Sequence, residues 1–77
     1  MRDEKHISDL SDVMNRFWKL YVKEYRAADF NTEYFWNRVI AEFSGMVKKY
    51  DKTNYHEQAM NIAEALLADL EQESRKT

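Results

Sequence analysis

The chain has 77 residues, 44% of them hydrophobic, with no cysteine, no proline, one glycine and a formal net charge of −2. Without cysteine there is no disulfide framework, thiolate nucleophile or cysteine-based zinc site, and the mild charge does not by itself imply a nucleic-acid partner or an acidic mimic of one. Tight hairpins draw on Gly and Asn-Gly pairs, so the composition disfavours a strand-and-turn protein and an all-α chain is expected.

The first segment with helical spacing runs from about Asp3 to Ala27. Ile7, Leu10, Met14, Phe17, Tyr21 and Tyr25 step by three and four, and Val13, Trp18 and Leu20 widen the stripe. Asp3 and Glu4 near its start and Lys23 and Arg26 near its end complement the helix dipole. Ala28 to Asn31 reads as a connection, with Asn31 or Thr32 as the N-cap of the next helix. That helix is expected over 32–50, its apolar face made by Trp36, Val39, Ile40, Phe43, Val47 and Tyr50. A second connection, Asp51 to Asn54, precedes a third helix over 54–72, where Asn54 and Glu57 have the spacing of a capping box. Tyr55, Ala59, Ile62, Ala63, Leu66 and Leu70 give this helix its face.

Three helices near twenty residues each, joined by short loops, turn back on one another. The expected fold is an antiparallel three-helix bundle forming one domain over 1–77, with frayed ends near 1–4 and 73–77. The alternative is a helical hairpin that completes its core by dimerising. Eleven aromatic residues supply much of the area that so short a chain must bury. No apolar run at the start reads as a signal peptide, and none elsewhere has the length of a membrane span. A cytoplasmic protein is the expectation.

The residue types give no catalytic centre. His56-Glu57 begins like the zinc-protease motif H-E-x-x-H, but Met60 stands where the second histidine belongs. His6 is fifty residues away, at the end of the bundle where the third helix also starts. No placed carboxylate joins the two histidines. No glycine-rich loop or nucleophile motif is present. The expectation is a non-enzyme without cofactor, metal or small-molecule substrate.

Two surfaces are candidates for binding another protein. Trp18, Val22 and Tyr25 lie at the edge of the first helix, and exposed apolar patches of that kind mark partners. On the second helix, Ala41 and Gly45 make a small-residue notch beside Tyr34 and Arg38, residue types common among interface anchors. Met60 and Leu67 flank the face of the third helix. Ala41 and Gly45, with Ile40 before and Met46 after, resemble the Ala-x-x-x-Gly core of the helix-turn-helix motif. That motif needs a turn at Gly45, where the apolar period runs straight on, and apolar residues where Asp51 and Asn54 stand.

The expected function is therefore a small interaction module or accessory protein, of the type found in phages and mobile elements. It binds or occludes a partner protein, or pairs with itself. The alternative is a DNA- or RNA-binding regulator using Arg16, Lys19, Lys23 and Arg26, a basic stripe on the first helix.

Overall fold

A computed structural model describes residues 3–76. The fraying expected at positions 1, 2 and 77 lies outside the described residues. Three helices account for most of the rest: α1 (Glu4–Arg26), α2 (Glu33–Lys48) and α3 (His56–Arg75), with no strand among the described residues.

Two of the three starts are capped by side chains. The Asp3 carboxylate accepts hydrogen bonds from the amides of Lys5 and His6, and Thr32 Oγ1 accepts from the amide of Phe35. These satisfy donors that the first turn of a helix leaves open. The capping box expected from Asn54 does not form; Tyr55 holds the N-cap of α3 without a side-chain capping bond. Thr53 organises this loop instead. Its hydroxyl donates to the Tyr50 carbonyl and accepts from the Tyr55 amide. At its other end α3 continues to Arg75, three residues beyond the expected limit of Gln72. Glu73 explains the extension, because it accepts from Lys76 Nζ at 3.1 Å and from the Tyr25 hydroxyl at 3.5 Å.

Cross-helix contacts fix the topology. Lys23 meets Glu42 and Glu24 meets Arg38, whereas Arg16 meets Tyr50, so α1 and α2 run antiparallel. His6 meets Tyr55, Tyr21 meets Asp69 and Tyr25 meets Glu73, so α1 and α3 run parallel. All three pairs of helices touch, giving the three-helix bundle, 49 × 22 × 16 Å in extent. No helix among the described residues is long and apolar enough to cross a membrane.

The core is built from Val13 and Phe17 of α1, Phe35, Val39 and Phe43 of α2, Tyr50 of the second loop, and Ala59, Ala63 and Leu70 of α3. The face of α1 is rotated from the expected stripe. Ile7, Met14 and Tyr25, expected inside, are exposed, and the helix turns Val13, Phe17 and Glu24 inward. On α2, Phe35 takes the inner place expected for Ile40, which is exposed. Phe30, from the first loop, packs edge-on against Phe35, and Trp36 donates its indole N–H to the Phe30 carbonyl at 3.0 Å. This closes the turn between α1 and α2.

Glu24 is the one charged residue in the core among the described residues. One carboxylate oxygen accepts from Arg38 Nη2 at 3.0 Å and Nε at 3.3 Å. The other makes no hydrogen bond and has Lys23 Nζ at 3.7 Å. The Arg38 pKa is raised, first by its hydrogen bond to Glu24.

Candidate interaction surface

The period of α1 explains how one helix presents two apolar faces. Leu10, Val13, Phe17, Leu20 and Glu24 alternate steps of three and four and face the core, buried or half-buried. Moving every position on by one residue gives Ser11, Met14, Trp18, Tyr21 and Tyr25, with Ile7 one step before. This second seam has the same alternation, the spacing of a coiled-coil stripe, and lies about 100° around the helix from the first. Ile7 is 52% exposed, Met14 53%, Trp18 57% and Tyr25 44%.

The seam is ordered from within. Trp18 stacks on Tyr21 and Tyr21 lies against Tyr25, with ring centroids 5.5 and 5.8 Å apart. The Tyr21 hydroxyl donates to Asp69 of α3, and the Tyr25 hydroxyl to Glu73 one turn later. Burial, followed by the hydrogen bond to Asp69, pushes the Tyr21 phenol up to about 12. Ile62 and Leu66, on the same face of α3 as Asp69, are half-buried and extend the apolar area. The outer margin of the seam between Ile7 and Tyr25 is Ser8, Asn15 and Val22, none of them charged. Val22 is half-buried, so of the edge Trp18, Val22 and Tyr25, the two rings are the more exposed members.

The second candidate surface lies elsewhere. Ala41 and Gly45 line a shallow groove between α1 and α2 with Leu20, Lys23, Glu42, Met46 and Lys49. Helix α2 runs through Gly45 without a turn, unlike the helix-turn-helix pattern, and a Cβ placed there would meet nothing within 4 Å. Tyr34 is 74% exposed, with the Arg38 guanidinium 5.9 Å from its ring centroid. Arg38 is held by Glu24 and by the face of Phe35, so it is committed to the bundle. The two candidate surfaces stay separate.

Nor does the basic stripe stand clear. All four residues are exposed, but Lys23 lies 3.4 Å from Glu42 and Arg16 donates to the Tyr50 hydroxyl at 3.5 Å. The histidines take separate partners: His6 stacks on Tyr55, and His56 pairs with Asp51 at 3.0 Å. No group of three or more metal-ligating side chains occurs among the described residues. A further groove of about 250 Å³ runs between α2 and α3 over Phe43, Val47, Met60 and Leu67, with Ile40 exposed on the same side of α2.

Sequence reasoning placed Trp18 and Tyr25 at an edge and missed Ile7 and Met14, which it assigned to the core. The available signal was the double period, since two stripes one residue apart cannot both face the same neighbours. Fold and surface together define a three-helix bundle carrying an exposed aromatic seam. No protein-family model, curated protein or solved structure matches the chain.

Proposed function

We propose that this protein is a small interaction module that binds or occludes a partner protein, or pairs with itself, through the outer seam of α1. The observation that carries this reading is the uncharged run of Ile7, Met14, Trp18 and Tyr25, each close to half exposed. Isolated apolar residues are ordinary on a protein surface, but a contiguous aromatic stripe supports a binding site. Trp and Tyr present large rigid areas at low entropic cost, which suits them as anchors. In this reading the protein performs no chemistry, takes no cofactor and works in the cytoplasm. Tyr34 and the Ala41–Gly45 groove are a subsidiary contact surface. Nucleic-acid binding through Arg16, Lys19, Lys23 and Arg26 is the less favoured reading, because Arg16 and Lys23 already have partners within the bundle.

The test is site-specific photo-crosslinking in the native host, with a benzophenone side chain in place of Trp18 and, in a control, of the exposed loop residue Lys52. The expected result is a discrete protein adduct from position 18 and none from position 52. No adduct from position 18, together with salt-sensitive nucleic-acid binding lost in Lys19→Ala and Lys23→Ala, would sink the proposal in favour of the alternative.

A further inference from the structure

We infer that the outer seam of α1 receives a second copy of this chain, the two α1 helices packing antiparallel about a two-fold axis near Met14 and Trp18. This rests on the seam being a binding surface and names its occupant.

Three observations carry it. The first is the register. An antiparallel coiled coil brings unlike seam positions into the same layer. With the axis midway between Met14 and Trp18, Met14 meets Trp18 of the second copy, Ser11 meets Tyr21, and Ile7 meets Tyr25. Each layer then sets a ring against an aliphatic or small side chain, so no layer stacks two large rings on one another. A parallel pairing would set Trp18 on Trp18, Tyr25 on Tyr25, and Ser11 on Ser11.

The second is charge. The N-terminal part of α1 is acidic, with Asp3 as its cap and Glu4, Asp9 and Asp12 against Lys5. Its C-terminal part carries Arg16, Lys19, Lys23 and Arg26; the one acid of α1 there, Glu24, is buried and held by Arg38, and Lys23 also meets Glu42 of α2. Antiparallel pairing sets the acidic part of each copy beside the basic part of the other, and parallel pairing sets like against like. These charges stand behind the seam, so they select direction more than strength. The outer margin, Ser8, Asn15 and Val22, holds no charge to be stranded, and the two acids on the α3 side, Asp69 and Glu73, accept from the seam's own Tyr21 and Tyr25.

The third is area. Side chains of this size offer roughly 100 Å² each when half exposed, so Ile7, Met14, Trp18 and Tyr25 give about 400 Å² per copy. Ser8, Ser11, Asn15, Tyr21, Ile62 and Leu66 around them raise this to about 600 Å², the low end for a specific interface. An interface of this size belongs with the weak, transient class, so the dimer is expected to form in the micromolar range.

Sedimentation equilibrium on the full chain tests it. The wild-type chain should pass from monomer to dimer between about 1 and 100 μM. Met14→Glu places two carboxylates at the axis and should weaken the dimer at least tenfold, as should Trp18→Ala. Both sites are exposed, so helical content and melting should persist. Ile40→Ser, an equally exposed change on the α2–α3 side, should leave the dimer intact. Direction is read by oxidation, since the chain has no cysteine of its own. A mixture of Ile7→Cys and Tyr25→Cys should form the mixed disulfide in preference to either symmetric one. A monomer at all concentrations, or a dimer indifferent to Met14→Glu and Trp18→Ala, overturns the self-pairing, and a preference for symmetric disulfides overturns the antiparallel arrangement. Failure here is distinct from failure of the binding surface itself. Crosslinks from position 18 to a different protein would remove the second copy as occupant and keep the seam.

Discussion

Arg38→Met leaves Glu24 with a fully buried carboxylate and no strong donor. Removing one partner of a buried pair costs about 3–5 kcal/mol in general, because the remaining charge is uncompensated. Here the second oxygen keeps Lys23 Nζ at 3.7 Å, and the Lys23 side chain is itself 64% exposed. It can move closer, which lowers the cost for the stranded Glu24 to about 2–3 kcal/mol. For a domain of this size each kcal/mol shifts Tm by about 4–8 °C, so a fall of about 8–24 °C is expected. Thermal unfolding followed by circular dichroism measures it, at neutral pH and moderate salt. The diagnostic comparison is the double variant Glu24→Leu/Arg38→Met. It fills the same space with apolar atoms and should recover the wild-type Tm or exceed it. Should Arg38→Met melt within a degree or two of wild type, Glu24 is not stranded by the loss of Arg38. Should the double variant melt as low as the single one, packing and not charge sets the cost.

Gly45→Ala should stabilise by about 1 kcal/mol, raising Tm by a few degrees, since α2 is regular there and the added methyl meets nothing. Thr32→Ala removes the cap of α2 and should cost about 1 kcal/mol by denaturant titration, with an unchanged m-value. In a spectrophotometric alkaline titration Tyr21 should ionise near 12, and Tyr21→Phe should delete that late component. The folded state holds this proton more tightly than an unfolded tyrosine with its value near 10, so the contribution is whole below pH 10 and lost as pH rises through about 12.

The helices were legible because nothing interrupts their period. There is no proline, and the single glycine sits where the apolar spacing carries on past it. Loop positions followed from the same spacing, and Thr32 from its cap chemistry. The inner face of α1 was not legible, since Ile7, Met14 and Tyr25 are as apolar as Leu10, Val13 and Phe17. The choice between them is made by the neighbours: Phe17 packs against Phe43 and Tyr50, and Glu24 finds Arg38 on another helix. An ion pair spanning fourteen residues leaves no periodic trace, so Glu24 reads as a surface residue until α2 is placed beside it. The candidate surface was half legible for the same reason. Its rings were evident at the edge of a stripe, but its full length appeared only once the core had been assigned to the other seam.

The clamp at the first turn bears on how the chain reaches this state. Trp36 bonds to a carbonyl six residues earlier and lies against Phe30 and Phe35, so its hydrogen bond and ring contacts form once a short local segment has closed, and α3 adds only the groove wall at Glu71 and Arg75. Trp18 is different, because the Tyr21 ring beside it is anchored by Asp69, forty-eight residues further along. The two indoles therefore sit at opposite ends of the range of loop lengths that folding must close. Single-tryptophan variants, Trp18→Phe and Trp36→Phe, turn the chain into two rapid-mixing experiments. Coincident fluorescence phases would mean that the three helices assemble in one step. An earlier change at Trp36 would mean that the α1–α2 corner forms first and α3 docks onto it.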